Sequence, residues 1–306
     1  MKKTASVDRR TFCQTLSAVA SGLALSPALP ARALPQGGSL PFRLSVMAWT
    51  LGRTRPLDQR LEEIAQAGFK SFELVGEYQD WSDADYQHFN EKKRSLGLSC
   101  DCFLDRVIPG AGIADPMGGE LFLNGLKNAI VVSKKLESPV IIVRTGPRLL
   151  NVSRVSQHDA CIENLSRGAD LAAKEDITLL LENLDREENP TTYLTSSEEG
   201  LDIVRRTANP HAKFLYDFYH TQLEEGNLIK KLNKDTIGLI GVVHIADAPG
   251  RHEPGTGEIN YPNIYRKLME LRFNGFVAME FLATGDLVMT LRNAREGVMR
   301  SVNVSN

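Results

Sequence analysis

Three observations predict an α/β protein built as a single (β/α)8 barrel, the TIM-barrel architecture. From residue 41 onward, eight short apolar runs alternate with eight amphipathic stretches. Runs such as Pro139-Val-Ile-Ile-Val143 and Ile177-Thr-Leu-Leu-Leu181 are apolar on both faces, which suits a parallel sheet covered by helices rather than a half-wet antiparallel one. No Pro/Gly/Ser linker divides the roughly 270 residues involved, the size of one such barrel. A doubly wound open sheet is the alternative, but no glycine-rich phosphate turn follows an early strand. Strands are expected at 42–48, 70–76, 98–104, 139–146, 177–185, 213–220, 239–248 and 276–281. Helices are expected at 57–67, 83–96, 119–136, 155–174, 195–208, 222–232, 261–271 and 287–302. Gly68 and Gly97 stand where the first two helices need a residue that accepts positive φ, and Thr195 and Glu198 stand at capping-box spacing.

Ahead of the barrel, residues 1–33 read as a cleavable signal peptide, leaving 34–306 as the folded domain. Lys2, Lys3, Arg9 and Arg10 precede a small, apolar stretch at 16–29, and Ala31-Arg32-Ala33 fits a cleavage site. The paired arginines of Asp8-Arg9-Arg10-Thr11-Phe12 resemble a twin-arginine export signal, so the expected location is the periplasm. An uncleaved anchor is the alternative, but the stretch is short and rich in Ala and Ser. With 42% hydrophobic and 24% charged residues the composition is globular, which excludes a fibre or a polytopic membrane protein. The net charge of −2 and the lack of a basic run argue against a nucleic-acid partner. No membrane partner is expected after signal cleavage, and a homo-oligomer is left open. Cys100 and Cys102 are expected on one face of a strand. With Cys161 they read as buried free thiols, a metal or redox role being the alternative.

Four of the last strands end in a group able to bind a hard cation: Glu182, Asp217, His244 and Glu280. Each follows directly on apolar residues, where a charge is costly unless neutralised or coordinated. Strands 5 to 8 of a barrel bring such ends to one rim. Three carboxylates and an imidazole without a thiolate suit one divalent ion, Mg2+ or Mn2+, with Co2+ a further option, rather than structural zinc. His220, three residues beyond Asp217, and Arg251, in the Gly/Pro-rich segment from His244 to Tyr261, are candidates for holding an oxygen-rich substrate. Arg144, at the end of strand 4, reads equally as an anion contact or a structural ion pair. Asp247, His252, Glu253 and Glu258 share the long loop and read as loop residues that solvent alone could satisfy.

Leu-Leu-Leu-Glu182-Asn, Tyr-Asp217-Phe-Tyr-His220 and Pro-Gly-Arg251-His-Glu-Pro-Gly-Thr-Gly-Glu258-Ile-Asn-Tyr261 resemble the hydroxypyruvate isomerase branch of the xylose-isomerase-like TIM barrels. The resemblance runs from Pro41 to Val302, and His244 stands where many hydroxypyruvate isomerases carry Gln. It implies that Glu182, Asp217, His244 and Glu280 hold one divalent metal and that Glu182 and Glu280 are the catalytic acid/base pair. It also implies that His220, Arg251 and Glu188, or its neighbour Glu187, bind substrate. The implied chemistry is isomerisation of a small hydroxy-carbonyl compound by proton transfer through an enediolate, with hydroxypyruvate and tartronate semialdehyde as the first pair. Ketose epimerisation, a keto-sugar or inosose lyase or dehydratase, and a non-catalytic sugar-binding member are the alternatives. A repair nuclease on the same barrel is disfavoured by a total of only six His.

Overall fold

The computed structural model describes residues 39–104 and 112–302. The expected signal peptide at 1–33 lies outside them. The strands are β1 (Arg43–Val46), β2 (Ser71–Val75), β3 (Ser99–Leu104), β4 (Val140–Arg144), β5 (Thr178–Glu182), β6 (Ala212–Asp217), β7 (Ile240–Ile245) and β8 (Phe276–Met279). The helices are α1 (Leu57–Gln66), α2 (Asp83–Ser95), α3 (Gly119–Leu136), α4 (Arg154–Ala173), α5 (Ser197–Thr207), α6 (Phe218–Glu224), α7 (Leu228–Lys231), α8 (Tyr261–Glu270) and α9 (Leu287–Ser301). Every pairing is parallel, in the order β1-β8-β7-β6-β5-β4-β3-β2. A parallel bridge from Met47 to Glu73 spans the remaining gap between β1 and β2, so the sheet curls into the expected barrel.

Two apolar layers follow from the period of two along each strand. Met47, Cys102, Leu104, Ile142, Leu180, Leu215, Val242, Phe276 and Ala278 fill the barrel interior. Their alternates, among them Leu179, Leu181, Phe214, Tyr216, Val243 and Val277, join the layer between sheet and helices. Glu182, Asp217, His244 and Glu280 each lie two residues beyond an interior residue (Leu180, Leu215, Val242, Ala278), so all four point inward at the strands' C-terminal ends.

Four local expectations need correction. β6 stops at Asp217, whose Oδ1 accepts from the His220 backbone N–H and caps α6, so His220 lies in a helix rather than on a strand exit. The helix expected at 222–232 is broken by left-handed Gly226 and Asn227 into α6 and α7. Ser196, not Thr195, caps α5, accepting from the Glu199 N–H. Finally, Phe72 pairs with Cys100 but Glu73 pairs with Cys102, leaving Asp101 as the extra residue of a bulge. The bulge turns Cys100 outward and Cys102 inward, although both are buried free thiols, as is Cys161.

Candidate active site

One ligand-type atom from each of Glu182, Asp217, His244 and Glu280 lies within 4.8 Å of the others, and all four side chains are buried. His244 Nδ1 stands at the centre: 2.8 Å from Glu280 Oε2, 3.7 Å from Asp217 Oδ2 and 3.8 Å from Glu182 Oε1. Close as they are, Nδ1, Asp217 Oδ2 and Glu280 Oε2 make no hydrogen bond of acceptable geometry among the described residues. Buried polar atoms are normally satisfied, and a convergent imidazole nitrogen with two carboxylate oxygens is a donor set that fits a hard or borderline cation.

Each carboxylate is held by its other contacts. Trp49 Nε1 donates to Glu280 Oε1 at 3.0 Å, and Arg144 Nε donates to Glu182 Oε2 at 2.8 Å. Of the two readings of Arg144, the structure shows the ion pair, and that pair is to a site residue. Burial alone would raise the pKa of Glu280, but Arg251 and His244 outweigh it and hold the carboxyl well below the usual range. Asp217 is likewise lowered against burial, chiefly by the charge of His220 and by the nearby His244 imidazole.

Arg251 comes from the long segment after β7, in a left-handed conformation. Its Nη1 donates to Glu188 at 2.5 Å, its Nη2 lies 2.8 Å from Glu280 Oε2, and its guanidinium stands 5.5 Å from the Trp49 ring and 5.2 Å from that of Tyr219. The structure thus brings Glu188, not Glu187, to Arg251. The segment is anchored from within: Asp247, fully buried, accepts from the N–H groups of Ala248, Ile259 and Gly255. It is also tied to the β8–α9 loop, through Leu282 N–H to the Arg251 carbonyl and Thr284 to Glu253. Asp247 is therefore structural, not solvated. His220 is buried, its Nδ1 bonded to Asp185 and its Nε2 3.4 Å from Asp217 Oδ2. Burial would lower its pKa, but Asp217 and Asp185 raise it.

Sequence reasoning missed three residues. Trp49 and Asp185 carried no signal apart from their position near strand ends. Glu73 is fully buried on β2, and its Oε2 lies 2.9 Å from His244 Nε2 across the barrel. The trace of it in sequence is one acidic residue in the run Ser71-Phe-Glu-Leu-Val75.

Residues 61–302 match the family described as "Xylose isomerase-like TIM barrel". The chain is 32% identical over 227 residues to the hydroxypyruvate isomerase of Escherichia coli (strain K12), an alignment covering 72% of this chain and 86% of that protein. It is 29% identical over 237 residues to the 2-oxo-tetronate isomerase of Pectobacterium atrosepticum, covering 75% and 88%. A Brucella melitensis protein solved under the name AP endonuclease, family 2, superposes with a TM-score of 0.72 at 25% identity, covering 81% of this chain and 96% of that one. With the fold, the inward carboxylates and these relatives in agreement, the chain belongs to the xylose isomerase-like TIM barrels, in their hydroxypyruvate isomerase branch, and is an isomerase.

Proposed function

We propose that the chain interconverts a small 2-oxo acid carrying a neighbouring hydroxyl, hydroxypyruvate first, with its aldehyde isomer tartronate semialdehyde. The observation that carries this reading is the pair Glu182 and Glu280. Their oxygens lie within 4.8 Å of each other, each steadied by its own arginine. Two carboxylates so placed can take a proton from one carbon and deliver it to the next. Glu280, ionised by Arg251 and His244, is in the state that accepts a proton. Glu182 faces the same space and can deliver a proton to the neighbouring carbon, while the hydroxyl proton passes in the same direction, from the hydroxyl oxygen to the former carbonyl oxygen. His220, whose basicity Asp217 and Asp185 raise against burial, turns Nε2 toward the pocket, where it can meet the substrate's hydroxyl oxygen. Glu182, Asp217, His244 and Glu280 would hold one divalent cation, Mg2+ or Mn2+ on donor chemistry with Co2+ a further fit, which when bound supplies positive charge beside the substrate carbonyl.

The names of the curated relatives support an acid substrate, and the two arginines divide its recognition. Arg251 has both Nη groups engaged by Glu188 and Glu280. Among the described residues Arg144 bonds Glu182 through Nε, and its side chain is 42% exposed at the mouth, where its outer nitrogens can grip a carboxylate. Incubation in D2O with hydroxypyruvate, a 2-oxo-tetronate and neutral ketoses tests this. Deuterium should enter the acids without loss of water. Exchange confined to ketoses points to epimerisation, water loss to a lyase, and no exchange in any compound refutes the proposal. We also propose that residues 1–33 direct export by the twin-arginine route, as the paired arginines support. A processed chain in the periplasmic fraction is the expected result, and an unprocessed cytoplasmic one refutes it.

A further inference from the structure

We propose that Glu73 is a positioning residue that sets which nitrogen of His244 is available to the site. The inference rests on reading Glu182, Asp217, His244 and Glu280 as one cation site. Glu73 lies on β2 and His244 on β7, 171 residues apart, and both side chains are fully buried. In the 2.9 Å contact between Oε2 and Nε2 the carboxyl oxygen is the acceptor we assign and the imidazole N–H the donor, which places a proton on Nε2. Nδ1 is then left as the nitrogen facing Glu280, Asp217 and Glu182.

The opposing pull is visible in the same distances. Glu280 Oε2, 2.8 Å from Nδ1, would draw the imidazole proton to that side and block the nitrogen that coordination needs. Glu73 is the counterweight. Its cost points the same way: among the described residues Oε1 makes no hydrogen bond, and a buried carboxyl group so thinly satisfied is an expensive thing to retain in a barrel core. Carboxylates that accept from a ligating imidazole fix its tautomer and orientation, and their loss lowers metal affinity about 10- to 100-fold.

The test uses the full chain and three forms: wild type, Glu73→Gln and Glu73→Leu. Gln keeps an acceptor for the Nε2 proton, whereas Leu fills the volume without one. Calorimetric titration with Mn2+ should give a Kd raised about 10- to 100-fold in Glu73→Leu and by less than about threefold in Glu73→Gln. In Co2+-loaded protein, the exchangeable Nε2 proton of His244 should give a paramagnetically shifted proton resonance in wild type and Glu73→Gln. In Glu73→Leu it should vanish into rapid exchange with solvent, an effect that a merely space-filling role for Glu73 does not produce. Equal Mn2+ affinity in all three forms, equal weakening in both variants, or a resonance that persists in Glu73→Leu overturns the role of Glu73. Wild type that binds no Mn2+ overturns instead the cation site beneath it. If Glu73→Leu fails to fold, the Gln form still decides: a loss of affinity there as large as tenfold contradicts the proposal.

Discussion

Asp101 offers a sharp test of how the barrel interior handles charge. It is the inserted residue of the β3 bulge, 2% exposed, with Oδ2 making no hydrogen bond among the described residues. Burial pushes its carboxyl up to about 7 from an ordinary 3.8; the charge of Glu73 adds to the rise, and the nearby Ser45 and Ser71 hydroxyls offset part of it. A raised carboxyl pKa means that the folded chain holds a proton the unfolded chain has released. Its contribution to stability is therefore complete below about pH 4 and is lost as pH climbs through 7. Between pH 5 and pH 8 the linkage relation gives a loss of about 2.5 kcal/mol from this one group. Asp101→Asn replaces the acid with an isosteric neutral amide and abolishes that titration. Urea unfolding of both proteins at pH 5 and pH 8 reads the difference, since all other titrating groups are shared. Wild type should gain about 2.5 kcal/mol on the variant when moved from pH 8 to pH 5. A stability gap constant to about 0.5 kcal/mol across that range, well below the shift calculated from the linkage relation, would mean that Asp101 is ionised in the fold and that the interior is wetter than its burial implies.

Three further outcomes follow from the site. Glu280→Gln should keep the fold and lose kcat by a factor of at least about 100, the scale of an acid/base group, in steady-state assays; unchanged turnover removes it from proton transfer. His244→Ala should lower the melting temperature in Mn2+ but much less in chelator, because an ion that binds only the folded state stabilises by mass action; equal shifts in the two buffers show that His244 is no ligand. Arg144→Gln should raise KM for 2-oxo acids by about tenfold or more, the equivalent of one lost charge-assisted hydrogen bond, and leave neutral ketoses little affected. Parallel effects on both substrate classes would place Arg144 in the support of Glu182 instead.

Much of the barrel is legible because its information is local. The period of two that makes Leu180, Leu215, Val242 and Ala278 interior residues carries Glu182, Asp217, His244 and Glu280 to the same face, and a closed parallel sheet does the rest. What escapes is set by partners far along the chain. Nothing near Glu73 in sequence announces His244, and nothing near His220 singles out Asp185, because each pair forms only when the sheet closes or a loop returns. The misjudged end of β6 has a different cause. Asp217 is at once a strand residue and a helix cap, and the apolar run Phe218-Tyr219 continues the strand pattern across the point where the backbone turns helical. The inserted Asp101 likewise defeats simple alternation: one extra residue reverses the facing of everything beyond it.

The division of labour within Asp217 bears on how the enzyme comes to life. One of its oxygens fastens the start of α6 and the other looks into the pocket, so the anchorage of His220 owes nothing to whatever the pocket contains. A newly made chain can therefore assemble this wall completely before anything occupies the pocket, and a change of occupant need not dismantle it.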